Sequence, residues 1–145
     1  MNRILIAVAA AGLFIACGDP FGPGNDEVVA ALMTDGEPGP QVFLPDTVRA
    51  GQPFAVAITT YHICRLEEGR TAVDIDGLHA MVVPYNRFLG PSPTCADFIA
   101  IRERAVEMQF DERGPGTVTV IGLSAIRYPG EQADTIRVTR GVVVR

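Results

Sequence analysis

The chain of 145 residues carries 12 basic residues, all arginine, against 17 acidic ones, for a net charge of −5. An acidic chain lacks the electrostatic footprint of a nucleic-acid binder, so no nucleic-acid partner is expected. The absence of lysine removes Schiff-base and lysine-base chemistry.

Residues 1–17 read MNRILIAVAAAGLFIAC, with Arg3 beside the N-terminal amine and an uncharged apolar run from Ile4 to Ile15. A positive n-region followed by a short apolar stretch is the pattern of a secretory signal. The run is too short to remain as a transmembrane helix, which needs about 20 residues. Residues 1–16 are therefore expected to be a cleaved signal peptide.

The segment Phe14-Ile15-Ala16-Cys17 resembles the lipobox of bacterial lipoproteins, in which an apolar residue, a tolerant position and a small residue precede an obligatory cysteine. The resemblance implies that the Cys17 thiol receives a diacylglyceryl group, that cleavage makes Cys17 the first mature residue, and that the new amine is acylated. Two or three acyl chains, at about 0.8 kcal/mol per buried methylene, hold a protein durably on a bilayer. The implied location is the bacterial cell envelope, anchored to a membrane on the outer-membrane or periplasmic side.

Removal of residues 1–16 takes away Arg3 and leaves one domain's length of chain. Export also governs the remaining cysteines. Cys64 and Cys95 form an even pair in an oxidising compartment, where a disulfide is the expected state. On the chain-entropy model, closing that loop stabilises the fold by about 3 to 4 kcal/mol.

Residues 17–27 are read as the lipidated cysteine and a tether, and residues 28–145 as the folded domain. Gly18 to Pro40 is rich in glycine, proline and acidic residues and contains no basic one. Val28 to Thr34 interrupts it with apolar residues and is compatible with a short helix capped by Asp26 or an opening edge strand, with the two valines and the short length favouring the strand. Gln41 to Leu44 is a short strand, followed by Thr47 to Arg49 and a turn over Ala50-Gly51-Gln52-Pro53. Phe54, Val56, Ile58 and Thr60 then alternate with smaller residues, the period-two pattern of a strand. Glu67 to Arg70 reads as a turn before a strand through Thr71, Val73 and Ile75. Asp76-Gly77 is a hairpin signal leading into a strand from His79 to Pro84. Tyr85 to Ala96 is the longest irregular stretch. Asp97 to Val106 is compatible with helix or strand, with alternation favouring a strand from about residue 103. Gly114-Pro115-Gly116 reads as a turn into Thr117 to Gly122, an extended piece covers Leu123 to Tyr128, and Thr135 to Val144 forms the last strand.

Seven or eight short strands separated by Gly/Pro turns predict an all-β fold, a sandwich of antiparallel strands. The runs Pro45 to Thr60 and Gly114 to Val120 resemble bacterial immunoglobulin-like domains, and that resemblance implies an immunoglobulin-like β-sandwich.

Chemistry-bearing motifs are sparse. His62, Cys64, His79 and Cys95 contain the residue types of a zinc or copper site, which gives an alternative reading as a small periplasmic metal- or ligand-binding protein. That reading requires the thiols to be reduced; the disulfide leaves no thiolate, so no metal is expected. Asp74-Ile75-Asp76-Gly77 is similar to the opening of a calcium loop, but Tyr85 stands where the closing glutamate belongs, and it reads as a hairpin turn. Neither Ser92 nor Ser124 lies in a Gly-x-Ser-x-Gly elbow. Convergence of Glu67, Glu68, Asp74, Asp76, Glu103 and Glu107 would be needed for a hydrolase, the second alternative.

The leading expectation is a noncatalytic, lipid-anchored envelope module without a cofactor. Its partners are the membrane, through the acyl chains, and an envelope protein or glycan. The candidate binding loop comprises Tyr85, Arg87, Phe88 and Leu89, expected to be exposed beside the disulfide.

Overall fold

The computed structural model describes residues 26–33, 41–63, 66–89, 99–124 and 133–145, with only the backbone described at 62, 63 and 99. These residues form ten strands and no helix: β1 (Glu27–Val29), β2 (Ala31–Leu32), β3 (Val42–Phe43), β4 (Thr47–Val48), β5 (Phe54–Ile63), β6 (Leu66–Asp76), β7 (His79–Phe88), β8 (Ile99–Met108), β9 (Gly114–Leu123) and β10 (Thr135–Val144). From β5 onward the chain runs up and down. The alternation that predicts these strands is visible in burial: Val118 and Val120 on β9 are fully buried, whereas the alternating Thr117 and Thr119 are only partly covered.

The long strands form two layers. In one, β5 pairs along its whole length with β8 and also carries β3. In the other, β6, β7, β9 and β10 lie side by side, with β4 added to the far edge. Val56, Ile58, Val106 and Met108 from the first layer pack in one cluster with Val82, Val118, Val120, Val138 and Val142 from the second. Phe54 and Phe110 close one end of this core with their ring centroids 5.5 Å apart. A smaller cluster of Ala72, Val83 and Tyr85 lies apart from it.

The opening strand is the link between the layers rather than an edge. β1 pairs with β7, and β2 then inserts between β9 and β5, so that Ala31 faces both Leu123 and Tyr61. The all-β sandwich expectation holds. Three of its pairings, β4 with β10, β2 with β9 and β7 with β9, are parallel, however. The layers of immunoglobulin domains are each antiparallel, so the parallel β7–β9 pair departs from that pattern.

Local differences from the sequence reading have identifiable causes. Glu67 to Arg70 is part of β6 and not a turn. The register shifts there, so that Gly69 and Arg70 together oppose Tyr85 in a bulge. A Cβ on Gly69 would lie 2.9 Å from the Tyr85 carbonyl oxygen, so only glycine lets the strands approach this closely. Asp97 to Val106 resolves as strand from Ile99 onward, because full-length pairing with β5 satisfies its backbone. Gly114 to Gly116 opens β9 and is not a turn: Pro115 sits at the start of the strand, where its missing N–H is tolerated. The β6–β7 hairpin does turn at Gly77-Leu78, with positive φ at Gly77 alone, the pattern of a type II′ turn.

Leu32, 1% exposed, occupies the space that a side chain on Gly122 would need: a Cβ there would lie 2.9 Å from both Leu32 Cδ atoms. Gly122→Ala should therefore cost about 2 kcal/mol through overpacking, and Leu32→Ala about 3 kcal/mol through the cavity it leaves. In chemical denaturation the double variant should be more stable than the sum of the two by at least about 1 kcal/mol. Simple additivity would show that Leu32 does not sit over Gly122.

Candidate functional site

Because β5 to β10 alternate in direction, each end of the sandwich collects its own set of residues. One end carries the chain entry at Asp26, the end of β7 at Phe88, and the Ile63–Ile99 pair. The other carries the turns at 49–53, 77–78 and 109–113 and the end of β10. At about 3.3 Å per residue, ten-residue strands separate these ends by about 30 Å.

The entry end holds most of the residues singled out from sequence. Cys17, Cys64 and Cys95 lie outside the described residues. The backbone of His62 pairs with Ala100 at this end, whereas His79 begins β7 at the opposite end, with its Nδ1 2.8 Å from Thr117 Oγ1. A site using both histidines would have to span the length of the sandwich, so the four-residue His/Cys group is not brought together. Among the described residues no three His, Cys, Asp or Glu side chains converge to hold a metal ion.

The expected loop beginning at Tyr85 is strand as far as Phe88. Tyr85 corrects the exposed reading: it is 1% exposed, because its ring packs with Ala72 and Val83 while the Arg70 guanidinium lies 4.5 Å from the ring centroid. Arg87, Phe88 and Leu89 are exposed as expected. Arg87 pairs with Glu67, and Arg70 pairs with Glu27 at 2.9 Å.

Beneath them lies a feature that sequence reasoning missed. Arg104 alternates with Val106 and Met108 on the inward face of β8 and is 3% exposed. It spans the two layers: its Nε–H donates to Thr60 Oγ1 at 3.1 Å, one terminal nitrogen donates to the Tyr85 carbonyl at 2.7 Å, and the other donates to Asn86 Oδ1. Burial pushes the guanidinium below its ordinary pKa, and the Glu68 carboxylate pulls it partway back. Arginine stays protonated in proteins regardless, so the group is a fixed buried cation held by neutral acceptors. The hint in the sequence is a charge at an apolar position of an alternating strand.

The six acidic residues do not converge on one site. Glu103 and Glu107 are exposed on β8 in one layer, Asp74 and Asp76 lie on β6 in the other, and Glu67 and Glu68 sit at the opposite end of β6. Asp74 and Asp76, with His79, Thr117, Thr119 and Arg137, line a shallow groove of about 360 Å³. Ser124 is engaged in the β9–β10 connection, where its Oγ accepts the Asp134 N–H at 2.9 Å, and Ser92 lies outside the described residues.

At the end away from chain entry, a cleft of about 500 Å³ opens between Pro45 and Pro53, lined also by Val48 and Phe54 and flanked by Arg49 and Arg145. The backbone beneath both arginines is fixed: Arg145 N–H donates to Val48 O at 2.9 Å, Ala50 N–H to Arg145 O at 2.9 Å, and Gln52 N–H to Arg49 O at 3.2 Å. Among the described residues neither guanidinium takes part in an ion pair. Two positive charges over an apolar floor suit an anionic group attached to an apolar body. The sequence separates these arginines by most of the domain, and only the parallel β4–β10 pair joins them.

Comparison with protein-family models, curated proteins and solved structures found no match.

Arg104→Lys tests the cross-layer tie. A lysine head cannot reach three acceptors in a fixed fork, so the variant should lose about 2 kcal/mol and melt about 8 °C lower. Glu68→Gln should cost less, about 0.5 kcal/mol, because that carboxylate is exposed. An unchanged melting temperature for Arg104→Lys would remove the tie from the account of stability.

Proposed function

We propose that the chain is a lipid-anchored protein of the bacterial cell envelope, a noncatalytic β-sandwich module that holds an anionic group of an envelope protein or glycan. The observation that carries this reading is the polarity of the sandwich. The chain enters at one end, where the Phe88 N–H donates to the Asp26 carbonyl, and the Arg49/Arg145 cleft opens at the other. A module tethered through Cys17 would then present its cationic cleft away from the bilayer. The acidic balance of the whole chain makes two arginines over an apolar floor, in no ion pair among the described residues, a local exception, and local charge of this kind directs anionic ligands.

The proposal includes a Cys64–Cys95 disulfide. Its support is topological: Ile63, next to Cys64, pairs with Ile99, four residues after Cys95. A staple there would lock the entry end and stabilise a small exported domain by restricting its unfolded chain.

Two measurements test the proposal. The intact mass of protein extracted from host membranes without reductant should equal the chain from Cys17 onward plus acyl groups, less two hydrogens; an unacylated mass would remove the anchor. Co-sedimentation with cell-wall sacculi of the host should weaken at least about tenfold in Arg49→Ala/Arg145→Ala, with melting unchanged. Equal binding by the double variant would remove the cleft from the function.

A further inference from the structure

We infer that the entry end of the sandwich is itself a lipid-contacting surface, with Phe88 and Leu89 seated in the interface of the bilayer that holds the acyl chains. The inference rests on the anchored reading of Cys17 and assigns a role to exposed residues on which the cleft does not draw. Phe88 is 46% and Leu89 58% exposed, and Val28, paired with Asn86 two positions from Phe88, is 41% exposed. Three exposed apolar side chains thus lie beside the point where the chain enters, because β1 pairs with the last turn of the pleat in β7.

Chain length makes the bilayer the occupant. Nine peptide steps separate Cys17 from Asp26, and at no more than about 3.6 Å each they hold this end within about 30 Å of the membrane surface. A contact made under such a tether is intramolecular, so a small apolar surface suffices where it would not bind from solution. Of the charges beside it, Arg87 pairs with Glu67 and Arg70 with Glu27, while the exposed Asp26 and Glu68 carboxylates must stay on the water side of the interface. Aromatic and aliphatic side chains at the headgroup boundary are the usual interfacial contacts. An end-on domain would also direct the Arg49/Arg145 cleft away from the bilayer.

The chain contains no tryptophan, so a single substitution gives an unambiguous reporter. Phe88→Trp at the entry end and Ile75→Trp, 40% exposed near the opposite end, are both made in the full lipidated protein. Each is reconstituted in phosphatidylcholine/phosphatidylglycerol vesicles with ordinary or brominated acyl chains, and flotation and emission are recorded. Both proteins should float; Phe88→Trp should lose about half its emission in brominated vesicles, and Ile75→Trp almost none. Flotation with neither reporter quenched leaves the anchor standing and overturns the docking. Equal quenching of both reporters means a domain lying on its side and also overturns it. Failure to float removes the anchor and the docking with it.

Discussion

The insertion of β2 between β9 and β5 is the constraint on which the remaining architecture depends. Leu32 fits over Gly122 because that glycine has no side chain, and the fit places one short strand in hydrogen-bonding contact with both layers. Without the insertion, the β5–β8 layer and the β6–β7–β9–β10 layer would meet only through side chains and loops. With it, the chain entry point is fixed at one end of the sandwich, and the direction of every later strand determines which residues collect there.

Arg104 adds a second tie at that same end, of a different physical kind. A buried guanidinium is costly to desolvate, and its depressed pKa records that cost. Three acceptors drawn from β5 and β7 offset it, all on buried residues, Thr60, Tyr85 and Asn86. Such an arrangement specifies geometry more than it adds stability: an apolar residue would fill the space, but only a planar fork aligns Thr60, Tyr85 and Asn86 at once. The entry end is thereby braced by a directional polar contact, whereas Phe54 and Phe110 close the other end by apolar packing.

The two ends differ as much in surface as in interior. The entry end exposes Phe88 and Leu89 beside the Arg87–Glu67 and Arg70–Glu27 pairs; the far end exposes Arg49 and Arg145 over Val48 and Phe54 with no ion pair to either arginine among the described residues. The positive charge at the far end is local to that cleft, since the turns beside it carry the exposed Asp76, Asp111 and Glu112. That difference between the ends is what the fold supplies to the proposed function.

Strand placement was legible in the sequence wherever alternation was clean: β5, the start of β7, β9 and β10 follow directly from side chains that repeat every second residue, a property of one segment alone. The same local pattern misread Glu67 to Arg70, because a bulge that admits two residues opposite Tyr85 is a relation between strands. It also left Tyr85 exposed, since nothing near that residue reveals that Ala72 and Val83 will pack against it. The strand periodicity is determined by the sequence by itself, because it depends on neighbours within a few residues. The parallel pairings, the bridge through β2, the buried fork of Arg104 and the meeting of Arg49 with Arg145 were decided only by the tertiary structure. Each needs contacts between segments far apart in the chain, and those are fixed by how two sheets bury their valine faces together.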